Sequence, residues 1–375
     1  MVTNKSPLEI TRELVQIETM NPPGGEQQCA YYVGKMLQDA GLQVTYHEFA
    51  GGRTSVVARL AGTGSKAALC FGGHLDTVPL GAKPWSKDPF AGEVSDGDIY
   101  GRGTTDMKAG VAAYLWAALQ LARLSRGKAD IVFVSVAGEE TGCQGSFQLA
   151  REHIVKGVRA VVIAEPTSNY PIVGHRGALW LRAETSGVTA HGSMPHLGVN
   201  AIYKAARAIG KLERFSFNLT PHPLLGGPTL NVGTMGGGIN LNSVPDRAEF
   251  TIDLRTIPDQ DHGALLRHMQ SYLGEEVSLK PVVDVPGVWT DVGEPWIQEI
   301  FDLVQSTLGE KIEARGAPYF TDAAALKPAF DGAPTVILGP GDMTLAHQTD
   351  EYCKISRIDE AAHIYETIAR RWAGL

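Results

Sequence analysis

Hydrophobic and polar positions along the first half of the chain predict a mostly parallel sheet covered by helices. From residue 5 to about 176, short apolar runs alternate with stretches of helical periodicity. Continuous apolar runs rich in β-branched residues are typical of strands buried on both faces. Four such runs are AALCFGG (67–73), ADIVFVSVAG (129–138), RAVVIAE (159–165) and, far downstream, APTVILG (333–339). We therefore expect these runs to lie in one sheet.

Two segments have the pattern of helices. The start of the chain, MVTNKSPLEITRELVQ, is amphipathic and lacks the charged stretch and apolar core of a signal peptide. Residues 107–128, MKAGVAAYLWAALQLARLSRGK, are rich in alanine and leucine and end in basic residues that complement a helix C-terminus. This second segment predicts a long helix that begins directly after Asp106.

The pattern changes in the region 179–288, which predicts a second domain. LWLRAETSG and DRAEFTIDLRT alternate apolar with polar residues, as antiparallel strands with one wet face do. Because APTVILG is expected to rejoin the first sheet, this domain is predicted to be an insertion. The expected fold class is α/β, with helices on both faces of a mostly parallel sheet in a discontinuous domain (1–177 and 290–375) and an inserted α+β domain with an antiparallel sheet (178–289).

Composition excludes several classes of protein. Hydrophobic residues make up 43% and charged residues 20% of the 375 residues, an ordinary globular balance. The net charge of −8 provides no basic surface for nucleic acid. No apolar run approaches the roughly 18 residues that a membrane-spanning helix needs. We therefore expect a soluble cytoplasmic protein that binds neither nucleic acid nor a membrane.

The 4 cysteines are scattered and form no CxxC pair, which favours reduced, buried thiols. Cys143 follows the acidic pair Glu139 and Glu140, so a nucleophilic cysteine is an alternative. No histidine base lies near it in the sequence. The structural interpretation is therefore the stronger one.

Residues of the types that bind metals follow the predicted strands. Ligands of open α/β sheets bind at the carboxyl ends of the strands, where the connecting loops converge. The residues that follow the four runs are His74 and Asp76, then Glu139 and Glu140, then Glu165, and finally His347 in a longer loop. Thr321 and Asp322 fit either a pocket lining or a plain turn. The four strand ends are thus expected to form one polar site.

The number of these side chains predicts two metal ions. Two histidines and three or more carboxylates suit zinc or a similar divalent ion, and they exceed what one open tetrahedral site requires. Asp106 follows a glycine-flanked turn that places its carboxylate well, and two ions that share a carboxylate would use all of these side chains. Adjacent Glu139 and Glu140 should point in different directions, so that one binds metal and the other moves protons. Asp76, two residues after His74, is a candidate to accept the other ring proton of that histidine.

Each residue also has a purely structural interpretation. His74 alone would be a core histidine, Asp106 a helix N-cap, and Glu165 a turn residue before Pro166. Glu139 and Glu140 alone would be a solvated or helix-capping pair. Their coincidence at one expected sheet edge favours the metal site.

The motifs resemble those of a known family in order and over almost the whole chain. They are GGHLDTVP (72–79), WSKDPFAGEVSDGDIYGRGTTDMKAG (85–110), AGEETG (137–142), AEPTS (164–168), TAHGSMPHLGVNAI (189–202), NSVPD (242–246) and LGPGDMTLAHQTDEY (338–352). They resemble the motifs of the zinc-dependent amidohydrolases and metallopeptidases that include acetylornithine deacetylase, succinyl-diaminopimelate desuccinylase, aminoacylases and carboxypeptidase G. The catalytic domain of that family is a zinc-peptidase-like α/β domain.

The resemblance implies roles for individual residues. The implied ligands of two Zn²⁺, with Co²⁺ or Mn²⁺ as substitutes, are His74, Asp106, Glu140, Glu165 and His347. Asp106 would bridge the ions and precede a cis peptide bond. Glu139 would be the general base, and Asp76 would lie behind the first histidine.

The insertion resembles the lid and dimerisation domain of that family. The resemblance implies a homodimer, in which His191 reaches into the active site of the partner subunit to stabilise the transition state. Asn242 and Arg255 match positions that hold the substrate. A guanidinium at such a position suits a substrate carboxylate through two parallel hydrogen bonds.

The function implied is metal-dependent hydrolysis of the amide bond of an N-acyl amino acid. Glu165, together with EPTS and GPGDMTLAHQTDEY, resembles the acetylornithine deacetylase and desuccinylase branch. No second basic motif selects a diaminopimelate-type substrate. The alternatives are a dipeptidase or glutamate-type carboxypeptidase acting on short peptides and, from another class, a catalytically silent metal-binding interaction protein.

Overall fold

The first helix lies where the sequence predicts one, in a computed structural model that describes residues 4–375. Helix α1 (Pro7–Val15) begins at a capping box, in which the Ser6 hydroxyl accepts the backbone N–H of Glu9 and the Glu9 carboxylate accepts that of Ser6. The predicted amphipathic helix is confirmed over this span. Its first three residues lie outside the described residues.

The remaining elements follow along the chain. The helices after α1 are α2 (Gln27–Asp39), α3 (Ala109–Leu121), α4 (Gln144–Arg151), α5 (Ala201–Leu212), α6 (His262–Leu273), α7 (Pro295–Leu308), α8 (Ala323–Ala329) and α9 (Ile355–Ala373). The strands are β1 (Gln43–Ala50), β2 (Arg53–Leu60), β3 (Lys66–His74), β4 (Glu93–Ser95), β5 (Asp98–Tyr100), β6 (Ala129–Val136), β7 (Val158–Ile163), β8 (Gly174–His175), β9 (Gly177–Ser186), β10 (Thr229–Gly237), β11 (Arg247–Thr256), β12 (Val277–Val285), β13 (Val288–Trp289), β14 (Thr335–Ile337) and β15 (Tyr352–Lys354).

The chain forms two compact units. The first unit continues to Gly174 and also contains Trp289–Gly316 and Thr321–Leu375. The second contains His175–Val288 and the short segment Ala317–Phe320. The sequence pattern gives no sign that this short segment belongs to the second unit.

The first unit is built on a six-stranded sheet in the order β1-β2-β6-β3-β7-β14. The strands β6, β3, β7 and β14 are mutually parallel, and they are the four apolar runs of the sequence. Strands β1 and β2 add an antiparallel edge. The predicted single, mostly parallel sheet is therefore confirmed.

Helices cover this sheet because its central strands are apolar at successive positions. In β3, every residue from Ala68 to His74 is buried. Helix α3 packs against α1 and α9, and it is buried along its whole length except at Trp116 and Gln120. Helices α4 and α8 pack against each other and contact other strands of the same sheet. Because helices cover the sheet, the side chains on both of its faces are buried.

The predicted helix 107–128 is shorter in the structure, where α3 spans Ala109–Leu121. At its start, Asp106 and Met107 have non-helical backbone angles (φ −124°, ψ 94° and φ −135°, ψ 29°). At its end, the chain must return to the sheet, and Lys128 N–H donates to the carbonyl of Ala373 at 2.7 Å just before β6 begins. Tertiary contacts at both ends thus outweigh the helical propensity of these residues.

The second unit contains a four-stranded antiparallel sheet in the order β10-β11-β9-β12. Buried and more exposed residues alternate along β9 and β11, as their sequences predict. The buried face packs on helices α5 and α6 through Phe250, Ile252 and Met269. The predicted antiparallel sheet of the insertion is therefore confirmed.

Across residues 4–375, no helix has both the length and the apolar character needed to cross a membrane.

The buried imidazole of His175 should make the stability of the second unit depend on pH. Burial lowers the pKa of His175 to about 4, and its Nε2 atom has no hydrogen-bond partner. Below pH 6.5 the unfolded chain binds a proton that the folded chain excludes, so stability present above that pH is lost as pH falls towards 4.

Between about pH 7 and pH 5, the free energy of unfolding should fall by about 2 kcal/mol less in His175→Asn than in the wild type. Urea unfolding followed by circular dichroism at both pH values measures this difference. The exposed His196 provides a matched control, since His196→Asn should leave the pH dependence unchanged. An unchanged pH dependence in His175→Asn would contradict the assignment.

Candidate metal centre

The sequence-predicted ligands of the first unit lie together at one edge of its sheet. His74 is the last residue of β3, Glu165 follows β7, and Glu139 and Glu140 follow β6. His347 arrives from the loop after β14. Because parallel strands end at the same edge, residues far apart in the sequence form one cluster.

Asp106 lies between the two histidines of this cluster. One carboxylate oxygen, Oδ1, is 3.1 Å from His74 Nε2, and the other, Oδ2, is 3.4 Å from His347 Nε2. Glu165 Oε1 is 3.7 Å from His74 Nε2, and Glu140 Oε2 is 3.2 Å from His347 Nε2. The carboxylate of Asp106 is thus central to two groups of nitrogen and oxygen donors.

The backbone brings Asp106 close to the end of β7. Gly110, in the first turn of α3, approaches the carbonyl oxygen of Ala164 so closely that a Cβ atom there would lie only 2.0 Å from it. Glu165 follows directly. Glycine at this position therefore lets the helix that follows Asp106 approach the strand end that carries Glu165.

The donor atoms fit divalent metal ions. Within each of two groups, His74 with Asp106 and Glu140, and His74 with Glu139 and Glu165, the donor atoms lie within 4.8 Å of one another. Glu140 Oε1 is buried without a hydrogen-bond partner, which leaves it available to a cation. Imidazole nitrogen and carboxylate oxygen together suit zinc, cobalt or manganese. The Asp106–Met107 peptide bond is cis.

Burial and mutual repulsion raise the proton affinity of the carboxylates. Burial raises the pKa of Glu139, Glu140 and Glu165, and the neighbouring Asp106 carboxylate raises it further for Glu140 and Glu165. Burial alone would also raise the pKa of Asp106, but hydrogen bonds from His347 and His74 hold it below its usual range. Hydrogen bonds to Asp106 and Glu140 raise the pKa of His347 to about 10. The cluster therefore favours added positive charge.

The other ring nitrogen of His74 lies nearer to the backbone of Asp76 than to its carboxylate, which the sequence suggested as the partner. His74 Nδ1 is 2.9 Å from the carbonyl oxygen of Asp76 and 3.6 Å from the nearer carboxylate oxygen. The nearer partner is therefore the peptide group. This contact sets the orientation of the imidazole with Nε2 towards the cluster.

The Asp76 carboxylate instead accepts three successive backbone N–H groups of the turn that carries the two glutamates. Oδ1 accepts from Gly138 at 3.0 Å and from Glu139 at 3.1 Å, and Oδ2 accepts from Glu140 at 3.2 Å. Asn21 Nδ2 donates to Oδ2 at 2.8 Å. This arrangement holds the turn from which Glu140 reaches His347, with Oε2 3.2 Å from Nε2, and Glu139 reaches Cys143, with Oε1 3.7 Å from Sγ.

Asp322 is a further buried carboxylate near Glu139 that the sequence left undecided between a pocket lining and a turn. It is fully buried, and its Oδ1 atom accepts the hydroxyl proton of Ser146 at 2.7 Å. Burial raises the pKa of Asp322 to about 6, and its charge also raises that of Glu139. A carboxylate just before the alanine-rich helix α8 was the only signal of this role in the sequence.

Cys143 is buried against the same carboxylate. Its Sγ lies 3.7 Å from Glu139 Oε1, and burial raises the pKa of the thiol well above its usual range. A thiol of this kind is a poor nucleophile. The structure therefore agrees with the structural interpretation of Cys143.

The remaining predicted site residues belong to the second unit. His191 and Asn242 are exposed and lie on adjacent loops, where Gly192 N–H donates to the carbonyl of Asn242 at 2.7 Å. Arg255 is half-buried on β11, with its Nε 2.9 Å from Asp253 Oδ1 and its guanidinium 5.6 Å from the centre of the Trp180 ring.

Comparison with known proteins places these features in a family context. The sequence model of peptidase family M20/M25/M40 matches residues 70–371. A Staphylococcus epidermidis protein described as "Probable succinyl-diaminopimelate desuccinylase" is 26% identical over 407 aligned residues, which cover 99% of each chain.

Two solved structures have the same fold over the whole chain. An M20 family metallo-carboxypeptidase from Sulfolobus solfataricus superposes with a TM-score of 0.82 at 18% identity, covering 99% of this chain and 100% of the other. A tripeptidase from Staphylococcus aureus superposes with a TM-score of 0.75 at 24% identity, covering 100% of both chains.

We expect Asp76→Asn to lower kcat about 10- to 100-fold in the metal-loaded protein, because an amide cannot accept all the N–H groups that hold the Glu139–Glu140 turn. Steady-state kinetics, with metal content measured in parallel, provides the test. Asp130→Asn is the matched control, since Asp130 also accepts a backbone N–H, from Gly62 at 2.8 Å, but lies at the amino end of β6. Wild-type kcat in Asp76→Asn would contradict this role.

Proposed function

Because the chain belongs to peptidase family M20/M25/M40 and is therefore a hydrolase, we propose that it cleaves the amide bond of an N-acyl amino acid with the help of two divalent metal ions. The observation that carries the proposal is the position of Asp106 between His74 and His347, with glutamates beside each histidine. Such an arrangement suits a carboxylate shared by two ions.

The residues of the first unit divide between the two ions. His74 and Glu165 would hold one, His347 and Glu140 the other, and Asp106 would bind both. When bound, two zinc ions, or cobalt or manganese in their place, would acidify a water molecule and polarise the substrate carbonyl. The amide bond would lie beside Glu139.

Glu139 would act as the general base and then as the general acid. Its carboxylate accepts a proton from the attacking water, whose oxygen forms a bond to the carbonyl carbon of the amide. The same proton then passes to the amide nitrogen as the C–N bond breaks. The products are a carboxylic acid and a free amino acid. Burial supports this role because it raises the pKa of Glu139 and so makes the carboxylate a stronger base.

Three residues of the second unit would bind the rest of the substrate and the transition state. His191 would donate a hydrogen bond to the developing oxyanion, and Asn242 would help to hold the substrate. The guanidinium of Arg255 would bind the carboxylate of the amino-acid part. His191 and Asn242 are both exposed in the single chain, so their side chains are accessible to a substrate or to a second subunit.

The active form is proposed to be a homodimer built through the second unit. Large apolar side chains are exposed there, among them Leu197 (62% exposed), Tyr203 (65%) and Ile239 (91%). Strand β10 also forms an edge of the sheet. Exposed apolar side chains beside an open strand edge favour association with a second copy. The protein would act in the cytoplasm, where thiols such as its four free cysteines stay reduced.

The main rival function is cleavage of short peptides, as a dipeptidase or a glutamate-type carboxypeptidase. The names of the similar solved structures, a carboxypeptidase and a tripeptidase, favour this alternative. The name of the Staphylococcus epidermidis relative favours an N-acyl substrate instead. A silent metal-binding protein is a weaker alternative, because each proposed ligand position and the position of the base carry a suitable side chain.

An activity assay decides between these functions. In it, chelator-stripped protein is tested with and without added zinc or cobalt on N-acetylornithine, N-succinyl-diaminopimelate, other N-acetyl amino acids and dipeptides. We expect the metal to restore release of free amine from an N-acyl amino acid. Restored activity on dipeptides alone would favour the peptidase. No activity on any substrate, with metal bound, would favour the silent protein.

Replacing the proposed base should remove turnover without removing metal. We expect Glu139→Gln, which keeps the side-chain volume but cannot accept the proton, to lower kcat about 100- to 10,000-fold. Atomic absorption should find the same metal content as in the wild type. Substantial remaining turnover would exclude Glu139 as the base. Glu152→Gln, at the end of α4, is a control that should retain activity.

A mixture of two inactive variants tests the contribution of His191 from the partner subunit. Homodimers of His191→Ala and of Glu139→Ala should each be nearly inactive. Mixed dimers should regain activity, because one of their active sites combines an intact Glu139 with an intact His191 of the other chain. Sedimentation velocity confirms the dimer, and no recovery in verified mixed dimers would place His191 in its own subunit's site.

A further inference from the structure

We propose that Arg102 and Glu351 are positioning residues that hold the Asp106 turn and the His347 loop in the geometry needed to bind the second metal ion, the one held by His347 and Glu140. The inference rests on the two-ion centre of the proposed function. It assigns a role to a buried ion pair that contains neither a proposed ligand nor the base.

Glu351 binds the backbone of the turn that presents Asp106. Its side chain is fully buried, and it accepts N–H groups from Gly103 at 3.1 Å, Thr105 at 2.8 Å and Asp106 at 3.0 Å. These contacts occur where the chain departs from helical geometry, at Asp106 and Met107. Glu351 therefore provides the acceptors that this irregular turn lacks.

Arg102 binds the loop that presents His347. Its guanidinium is 1% exposed and donates to Glu351 Oε2 at 2.5 Å, to the carbonyl of Gln348 at 3.2 Å and to that of Pro79 at 3.1 Å. The carbonyl oxygen of His347 itself lies 3.5 Å from Nη2. Arg102 thus connects the His347 loop, the segment after β3 and, through Glu351, the Asp106 turn.

The backbone of His347 needs such support. His347 has a φ of 64°, in the left-handed region that side chains other than glycine rarely occupy. A conformation of this kind is unfavourable for a residue with a side chain and persists only where surrounding contacts impose it. Hydrogen bonds from Arg102 to the carbonyls of His347 and Gln348 are contacts of that kind.

Stability alone gives a poor account of this ion pair. Removing two charges from water is expensive, and apolar residues of the same volume often stabilise a core equally well. Apart from Arg102 Nε, which has no hydrogen-bond partner, the polar atoms of the pair bind each other and irregular backbone. Asp76 has the same relation to the Glu139–Glu140 turn, which makes backbone-binding carboxylates a recurrent feature of this centre.

The geometry predicts an unequal effect on the two ions. Arg102 contacts the His347 loop directly, whereas its contacts do not include the strand ends that carry His74 and Glu165. Loss of Arg102 should therefore weaken binding of the ion at His347 and Glu140 more than binding of the ion at His74 and Glu165.

Stepwise titration of metal-free protein with Co²⁺ measures this effect, using calorimetry for the two affinities and the visible absorption of Co²⁺ for the coordination at each step. We compare the wild type with Arg102→Met, Arg102→Lys and Glu351→Gln. In Arg102→Met, we expect one equivalent to bind about 10- to 100-fold more weakly and the other to change little. Arg102→Lys keeps the charge without the planar fork and should recover part of the loss.

Arg59→Met is the matched control. Arg59 forms an ion pair with Asp130 across the same sheet, and its contacts do not reach the metal-binding edge. Thermal unfolding compares the stabilities of all variants. If Arg102→Met does not fold, Arg102→Lys and Glu351→Gln, which nearly conserve volume, provide the comparison.

Wild-type affinity for both equivalents in the Arg102 and Glu351 variants, with lower thermal stability alone, would make the pair merely structural and overturn the proposal. Equal weakening of both equivalents in Arg102→Met would overturn the assignment of Arg102 to the His347 side. A wild-type protein that binds no Co²⁺ would refute the two-ion centre itself, and this result is recognised before any variant is compared.

Discussion

The crowding of carboxylates at one buried sheet edge is the constraint on which the first unit depends. Burial raises the pKa of Glu139, Glu140 and Glu165, and Asp106 adds its own charge beside two of them. Charge in such a place is costly unless cations or hydrogen-bond donors surround it. Two histidines provide part of that compensation, and the remaining deficit is what divalent metal ions would supply.

Backbone N–H groups compensate the charge of two further buried carboxylates, Asp76 and Glu351, which are not among the proposed ligands. Asp76 accepts from the turn that carries Glu139 and Glu140, and Glu351 accepts from the turn that carries Asp106. Through these contacts, a buried carboxylate holds the irregular backbone that presents the carboxylates proposed as ligands. The positions of the proposed ligands are thus set by residues that are not themselves among them.

Much of this arrangement could be predicted from the sequence, and the parts that could not have common causes. Strands β3, β6, β7 and β14 were recognisable because strands buried on both faces are continuously apolar. The antiparallel edge formed by β1 and β2 was not predicted, because a half-exposed hairpin has a weaker pattern. The helix predicted over 107–128 was too long at both ends, since contacts to Glu351 and Ala373 there are invisible to local propensity.

Strand periodicity and residue chemistry are local properties, so they were enough to predict the fold class, the sheet edge at which the polar residues gather and the residue types that meet there. Which atoms pair depends on the three-dimensional fold: His74 contacts the backbone oxygen of Asp76, Asp322 is buried near Glu139, and Arg102 and Glu351 join the loops of Asp106 and His347. Glu351 follows Asp106 by more than half of the chain, and only folding brings such distant residues within hydrogen-bond range.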